Sequence, residues 1–361
     1  MSVLAAIAVI ALLVAVHEMG HFLAARFQGI HVNRFSIGFG PILWKIQGPE
    51  TEYALRAIPL GGFVGFPDDD PESEIPPNDP DLLKNRPILD RTIVISAGVI
   101  ANLIFAYLVF VVQYATFSVP DFTPQPGVII SEVMAPDSPA AQAGLQSGDI
   151  VIAAENRPLA ASETTINQFI SLIQNHPNQP VDLTVQRSGQ EVDLTVTPEA
   201  SNGGAVIGVQ LQPNGVLEYR RATGPIEVLT LAAQQFQDML VRTVKGFYML
   251  ITNFSEMAGQ VAGPVAIVEQ GAGLAAANAL SLFPFTAIIS INLAIINILP
   301  LPALDGGQLA FLAIEALRGK PLPERIQENV MQTGLVLLLG LGIFLIVRDT
   351  SQLEIFQNLP Q

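Results

Sequence analysis

The stretch VAVHEMGHFLAARF, residues 14–27, ends a long apolar block and carries three ionisable side chains inside it. His17 and His21 are four residues apart, so on a helix both imidazoles lie on one face and can bind a single metal ion. Glu18 follows the first histidine and can act as a general base beside the metal. Ionisable groups are costly within an apolar helix and mark function by default. The pattern predicts a zinc site inside a membrane helix; the alternative, two hydrogen-bonded core histidines, leaves Glu18 unexplained.

Four apolar blocks alternate with polar segments along the 361 residues. Half of the chain is hydrophobic and 14% is charged, whereas soluble proteins have roughly 25% charged residues. Each block can cross about 30 Å of hydrocarbon as a helix, so we expect four transmembrane helices. A cleaved signal peptide is the alternative for the first block, but that block lacks a positively charged start, and Arg26 follows it. The blocks cover residues 2–25, 92–118, 280–303 and 330–347.

The net charge of −15 and the absence of cysteine narrow the classes of partner and of metal site. Nucleic acid is not expected as a partner, because phosphate binding needs a basic surface. Without cysteine, any zinc site must use histidines and carboxylates.

Basic residues are distributed unevenly between the loops. Residues 119–219 carry only Arg157 and Arg187, whereas the stretch between the first two blocks is rich in Lys and Arg. By the positive-inside rule that first loop is cytoplasmic and the N-terminus lies outside, so residues 119–279 and the C-terminus also lie outside. The basic residues of the first loop are Arg26, Arg34, Lys45, Arg56, Lys84, Arg86 and Arg91.

A third metal ligand is available near the end of the third block. The segment INLAIINILPLPALDGGQL, residues 291–309, contains Asp305. The charge-derived topology puts this segment on the cytoplasmic side, where His17 and His21 also lie near the end of their helix. Two prolines before Asp305 must interrupt regular helix, which is tolerated at membrane depth where the backbone lines a cavity. The alternative is a plain turn after a helix.

Residues 125–215 have the mixed pattern of a small water-soluble domain. Strand, turn, short helix and strand come first, followed by a helix that we expect Ser162 to cap. Alternating apolar and polar residues on both sides of Ser188-Gly189 predict a hairpin. The pattern resembles a PDZ domain, most specifically in SPAAQAGLQSGDIV at 138–151. Such domains bind extended peptides or chain ends by adding a strand to a sheet edge.

Two other segments leave alternatives open. Residues 226–252 have apolar positions at helical spacing, which indicates either an amphipathic helix on or in the membrane or a packed surface helix of the outer region. The acidic, proline-rich segment 66–81 is typical of a flexible loop, and a gate is equally compatible with it.

Three features in this order resemble the site-2 protease family of intramembrane zinc metalloproteases, over nearly the whole chain. They are HExxH at 17–21, the PDZ-like insert and NxxPxPxLDGG at 297–307. A shorter match, SAGVIAN at 96–102, departs from the family pattern at Val99, because the family usually has proline after Gly98. The shorter matches are SIGFGP at 36–41, GGFVGF at 61–66 and SAGVIAN at 96–102.

The resemblance implies roles for individual residues. His17, His21 and Asp305 are the implied zinc ligands, and Glu18 is the implied catalytic base. In relatives the GGFV-like segment forms a membrane-dipping hairpin that presents the substrate as an added strand. The residues implied to lie beside the substrate are Asn292, Asn297, Pro300, Pro302, Gly61, Gly62, Phe63 and Asn102.

The expected fold is a polytopic α-helical membrane protein with four transmembrane helices, one inserted α+β PDZ domain and a membrane-associated β-hairpin loop. The expected function is Zn²⁺-dependent cleavage of transmembrane segments of pre-trimmed single-span proteins, in signalling or in signal-peptide clearance. The expected substrates are anti-sigma-factor-like regulators or remnant signal peptides. The PDZ domain is expected to bind a peptide or chain end, and the lipid bilayer is expected to surround the helices. The active site is expected toward the cytoplasm and the PDZ domain outside. The expected domains are 1–118 with HExxH, 119–218 with the PDZ fold, 219–279 as a helical linker and 280–361 with the LDG motif.

Two rival functions are disfavoured by the same residues. A membrane adaptor with structural zinc would fill its fourth coordination position with protein, but His31 and His176 lie in other regions. A metal transporter would need buried acids or histidines along a pathway, and the second and fourth blocks offer none.

Overall fold

The computed structural model describes residues 2–70, 73–162, 164–201, 204–257, 259 and 261–352. They form two compact units: a helical unit, Met1–Phe117 with Ala222–Gln361, and a β-rich unit, Ser118–Arg221. The described helices are α1 (Ser2–Phe27), α2 (Ile88–Thr116), α3 (Pro139–Gln142), α4 (Thr165–Gln174), α5 (Pro225–Thr252), α6 (Phe254–Met257), α7 (Pro264–Ala277), α8 (Leu282–Ile298), α9 (Asp305–Arg318) and α10 (Glu324–Gln352). The described strands are β1 (Arg34–Gln47), β2 (Glu52–Gly65), β3 (Val119–Val133), β4 (Ile150–Ala154), β5 (Arg157–Pro158), β6 (Val181–Arg187), β7 (Gln190–Val196), β8 (Glu199–Ser201), β9 (Gly204–Val206) and β10 (Val209–Arg220).

Four stretches of the described chain are helical, long and apolar enough to cross a membrane, as the apolar blocks predict. The third one ends at Ile298, since Pro300 and Pro302 follow and prolines disrupt a continuing helix. The fourth begins at Glu324, one and a half turns before the apolar block itself. The four stretches are Val3–Phe27, Ile88–Thr116, Ala279–Ile298 and Glu324–Ser351.

Close contacts between small residues hold α1 and α2 together. A Cβ added at Gly20 of α1 would lie 2.4 Å from the carbonyl oxygen of Ala97 and 2.7 Å from Cβ of Ala101, both on α2. Helices in membranes pack through such small residues because lipid removes the hydrophobic drive for helices to associate. This approach brings α2 against the face of α1 that carries the histidines.

β1 and β2 are long, bent strands that form a sheet of four short segments. Residues 34–37 pair in parallel with residues 52–55 and antiparallel with residues 62–65. Residues 52–55 also pair antiparallel with residues 44–47. Segment 62–65 is therefore an edge, because no other strand in the described part of the chain pairs with it.

The acidic segment 66–81 is attached to its neighbours, where its composition predicts a flexible loop. Asp70 accepts hydrogen bonds from Asn33 (3.0 Å) and Arg34 (2.9 Å). Asp81 pairs with Arg86 at 2.7 Å. The charges that suggest solvation are thus partly neutralised by side chains from outside the segment.

The β-rich unit has one sheet with the strand order β10-β3-β4-β6-β7, and β5 pairs with β4. The predicted hairpin at Ser188-Gly189 is confirmed as the β6–β7 turn, in which both residues have positive φ. The expected cap by Ser162 is wrong, because α4 begins at Thr165 and the Ser162 hydroxyl accepts a bond from the Thr164 amide at 3.3 Å.

The core of the β-rich unit is built from the inward faces of its sheet and helices. Phe169 and Ile173 of α4 are buried against residues of β3, β4 and β6. These helix positions are four apart, so one apolar face of α4 covers the sheet.

Candidate metal centre

Three potential ligand atoms converge near the C-terminal half of α1. His17 Nε2 and His21 Nε2 are 3.2 Å apart, on the same face of the helix as their spacing predicts. The Asp305 Oδ2 atom is 3.3 Å from the first nitrogen and 3.4 Å from the second. The structure therefore brings together the three side chains that the sequence singles out.

His21 is oriented by the backbone of α2. Its Nδ1–H donates a hydrogen bond to the carbonyl oxygen of Val94 at 2.8 Å. A carbonyl can only accept, so the proton is on Nδ1 and the lone pair of Nε2 is free to bind a metal.

Gly98 of α2 lies directly against the two imidazoles. A Cβ at this position would be 2.3 Å from His21 Nε2 and 2.7 Å from His17 Cε1. Real Cβ atoms essentially never make contacts this short, so only glycine fits here without displacement of the rings.

His17 is surrounded by buried polar groups from α2 and α8. The Asn102 side-chain nitrogen lies 3.3 Å from His17 Nδ1, and Asn102 is fully buried. The Asn297 side-chain nitrogen lies 3.5 Å from His17 Nε2. The Ser290 hydroxyl donates to the carbonyl oxygen of Asn102 at 2.8 Å, which joins α8 to α2 beside the histidine.

Asp305 is placed by a tight turn after α8. Ala303 has a φ of 68°, which is uncommon for a residue other than glycine. A Cβ at Gly306 would lie 2.1 Å from the carbonyl oxygen of Leu299, so α9 begins in close contact with the preceding turn. Burial raises the pKa of Asp305, but the imidazoles of His17 and His21 outweigh burial and lower it to about 2.

Glu18 lies where α1 meets the edge segment of β2. A Cβ at Gly62 would be 2.9 Å from Cγ of Glu18 and 2.8 Å from the carbonyl oxygen of Ser36. Gly61 has a φ of 92°, and a Cβ there would be 2.0 Å from the Phe39 ring. The two glycines thus let the backbone of β2 approach the ring of Phe39 and the carboxyl-bearing side chain of Glu18.

Phe63 and Pro302, also expected beside a substrate, make other contacts. The Arg56 guanidinium lies over the Phe63 ring, 5.5 Å from its centroid. Pro302 packs on α10, where a Cβ at Gly334 would be 2.2 Å from Pro302 Cβ. Pro300 is exposed in the turn before Asp305.

Asn292 belongs to a groove between α5 and α8. The groove has a volume of about 300 Å³, and its lining also includes Arg242 and Phe247. Among the described residues, no hydrogen bond joins Asn292 to His17 or to Asp305. The structure therefore does not bring Asn292 into the histidine cluster.

The cluster fits a zinc ion. Asp305 Oδ2 is buried and has no hydrogen-bond donor among the described residues, although two imidazole nitrogens lie within 3.4 Å. Three lone-pair donors facing one point are what Zn²⁺ takes in a catalytic site, where protein supplies three ligands and one position stays open. The donor set of two nitrogens and one carboxylate oxygen suits zinc chemically.

Sequence reasoning missed the Val94 carbonyl, the approach of Gly98, and Ser290. Gly98 lies in the SAGVIAN match, so that motif was a signal for its importance. No sequence signal distinguishes the Val94 carbonyl, because every residue has one.

Comparisons with known proteins extend over nearly the whole chain. The model of peptidase family M50 matches residues 5–341. A protein of Nostoc sp. named "Putative zinc metalloprotease" is 60% identical over 98% of this chain and 97% of its own length. The regulator of sigma-E protease of Escherichia coli is 30% identical over 94% of this chain and 96% of its own. The PDZ domain of an SdrC-like protein from Listeria innocua matches with a TM-score of 0.21 and 20% identity, over 24% of this chain and 93% of that domain.

The family match includes both the histidine pair and Asp305, two of the four apolar helical stretches in full and most of the other two. The chain therefore belongs to peptidase family M50, the site-2 protease family, and it is an intramembrane zinc metalloprotease.

Proposed function

We propose that the protein cleaves transmembrane segments of single-span membrane proteins whose outer part has already been removed by another protease. The observation that carries this proposal is the convergence of Asp305 on His17 and His21. The two histidines and Glu18 lie within a helix long and apolar enough to span a membrane. A water-using site at that depth is suited to a peptide bond that lies in the membrane.

His17, His21 and Asp305 hold the zinc in this proposal. When bound, zinc supplies a Lewis acid that polarises the scissile carbonyl and lowers the pKa of a water. Glu18 takes the proton of the attacking water and passes it to the leaving amine.

Asn102 acts in this proposal as an orienting group for His17. If His17 binds zinc through Nε2, its Nδ1 carries a proton and needs an acceptor. Asn102 Oδ1 is buried without a hydrogen-bond partner among the described residues. Exchanging the oxygen and nitrogen of the amide, which have nearly the same shape, puts Oδ1 where it accepts from His17 Nδ1–H.

The edge segment 62–65 holds the substrate as an added strand. Among the described strands it pairs only with residues 34–37, and Gly62 packs against Glu18. A transmembrane helix must unwind to be cut, because its peptide bonds are enclosed by its own backbone. An exposed strand edge satisfies backbone groups of the unwound part, which is valuable where water is scarce. Asn297, near His17, and Pro300 in the following turn lie beside the bound strand in this proposal.

The β-rich unit serves as a PDZ domain that binds an extended peptide or a new chain end. A cavity of about 220 Å³ lies between α4 and the chain from Ala205 to Leu211. Its lining includes Phe169, Ile173 and Ile207, so it suits a ligand with an apolar side chain.

The arrangement in the membrane follows from the charge pattern. The basic first loop is cytoplasmic and the active site faces that side, whereas the β-rich unit lies outside. α5 lies on or in the membrane, which is supported by exposed apolar side chains such as Tyr248, Ile251 and Ile226. In this proposal the two histidines belong to a first membrane region, residues 1–118. Residues 219–279 are a helical linker, and residues 280–361 form a second membrane region that contains Asp305.

Regulators of transcription factors are one proposed class of substrate. The E. coli relative is named for regulation of sigma E, and by likeness we include anti-sigma-factor-like regulators here. Remnant signal peptides, which are short single membrane spans, are the second class.

A proteome comparison tests the proposal. Cells with Glu18→Gln are expected to accumulate truncated single-span proteins that wild-type cells clear, while the purified variant keeps its zinc. Glu324→Gln, an exposed glutamate at the start of α10, is the matched control and should behave as wild type. If Glu18→Gln folded, kept zinc and still cleared these fragments, Glu18 would not be the base.

A further inference from the structure

A partly buried ion pair joins α2 to the last turns of α9. Arg91 Nη1 donates to one carboxylate oxygen of Glu315 at 3.1 Å, and Nη2 donates to the other at 2.5 Å. The two side chains are 17% and 14% exposed. Arg91 Nε is buried without a partner among the described residues, so Glu315 supplies the polar contacts of this guanidinium.

α2 carries the groups that hold the two histidines. These groups are the Val94 carbonyl, Gly98 and Asn102. Arg91 lies three residues before Val94, on the same side of the helix. One end of the ion pair is thus fixed to the helix that orients two of the three proposed ligands.

α9 carries the third proposed ligand, and most of its residues are exposed or only partly buried. It begins at Asp305, and Gly306 packs against the preceding turn. Leu312 is the one buried side chain beyond the glycines, and Leu317 is 90% exposed. The contact at Glu315 is therefore a polar anchor near the far end of α9, one turn beyond the buried Leu312.

A small movement of that far end would disturb the metal site. Glu315 lies ten residues after Asp305, about 15 Å along the helix, so a displacement there of about 2 Å would turn α9 by about 8°. Consecutive Cα atoms are about 3.8 Å apart, so Asp305, one residue from the Gly306 contact, would shift by about 0.5 Å. That shift is beyond the ~0.2 Å range of metal–ligand distances.

We propose that Arg91 and Glu315 are positioning residues, which set α9 relative to α2 and thereby hold Asp305 at bonding distance from the zinc. This inference rests on the proposed role of Asp305 as a ligand. A buried ion pair adds little net stability over well-packed apolar residues, because desolvation offsets its attraction. Its bidentate geometry, however, fixes both distance and angle between the two helices.

The test separates positioning from stability in the full-length protein purified in detergent. Arg91→Met combined with Glu315→Leu replaces the pair by apolar side chains of similar length, and its metal-free form is expected to unfold at the wild-type temperature. Its zinc affinity, measured by competition with a chelator, is expected to fall about 10-fold. The visible spectrum of the Co²⁺-substituted protein should change as well, because it reports the geometry of the ligands. Arg318→Met, an exposed position on the same helix, is the control that should leave both readings unchanged.

Charge reversal provides a second, independent reading if the apolar pair does not fold. Arg91→Glu and Glu315→Arg should each weaken zinc binding, and the two together should restore much of it. Wild-type affinity and spectrum in the folded apolar pair, or no recovery in the double reversal, would overturn the inference. Asp305→Asn distinguishes a failure of the proposed ligand set from a failure of the positioning role. Unchanged zinc affinity in that variant refutes the proposed ligand set. If it loses zinc while the apolar pair does not, only the positioning role fails.

Discussion

Replacing Gly98 by alanine should disable the metal centre without weakening the helix that carries it. The added methyl carbon would lie 2.3 Å from His21 Nε2. Carbon contacts are normally at least about 3.5 Å, so the ring must retreat by about 1 Å. That shift is several times the ~0.2 Å tolerance of metal–ligand distances. Alanine is also the better helix former by about 1 kcal/mol, so helix propensity opposes any loss of structure.

The expected result is a fall in zinc affinity of about 100-fold or more, beyond the 10–100-fold typical of groups that only support a ligand. Zinc affinity is measured by chelator competition, and cleavage is measured with a single-span reporter substrate. Folding is measured by thermal unfolding of the metal-free protein. Gly340→Ala on α10 is the matched control, since no heavy atom lies within 4 Å of a Cβ there. Wild-type zinc affinity in Gly98→Ala would refute the close approach of α2 to His21.

Three further changes test other parts of the molecule. Asn102→Ala should lower zinc affinity about 10-fold, because His17 is no longer oriented. Zinc affinity is measured by chelator competition, and wild-type affinity in this variant would contradict the orienting role. Gly306→Ala should cost at least about 1 kcal/mol in thermal unfolding, because its methyl meets a carbonyl oxygen at 2.1 Å. In the β-rich unit, burial raises the pKa of Asp149. Hydrogen bonds from Arg187 and the Gln146 amide, together with the charge of Arg187, outweigh burial and hold that pKa below its usual range. The contribution of this pair to the free energy of unfolding is complete above the usual carboxyl pKa, and it declines as the pH falls through the lowered pKa of Asp149. Asp149→Asn should therefore make the free energy of unfolding depend less on pH in acid unfolding curves.

The metal centre was largely predictable because its parts obey local rules. Helical spacing alone predicts that His17 and His21 share a face. The count of basic residues in the loops predicts that Asp305 lies on the same side of the membrane as the histidines. The prolines before it account for the end of α8 at Ile298. The histidine spacing and the prolines each need only the chain within one helix or one loop, and the topology needs only a count of charges.

The surroundings of the histidines were harder to predict, since α2 is apolar on all sides. A helix of this kind has no periodic pattern that identifies the inward face. The sequence therefore does not distinguish an Asn102 that faces a substrate from one that contacts His17. The close approach at Gly98 likewise depends on how two helices cross, which neither helix encodes alone.

The acidic segment shows a different limit. Its composition indicates solvation, and composition carries no information about partners distant in sequence. Arg86 and Asn33 lie outside the segment and bind Asp81 and Asp70 within it. A count of charges in the segment alone misses these bonds.

The position of α9 near the end of the chain has a consequence for biosynthesis. Glu18 and both histidines enter the membrane with the first helix, but Asp305 is made only after the β-rich unit and α8. A nascent chain that ends before α9 therefore carries the proposed general base and only two of the three proposed ligands. With the proposed ligand set, the order of synthesis delays proteolytic competence until α9 has been made.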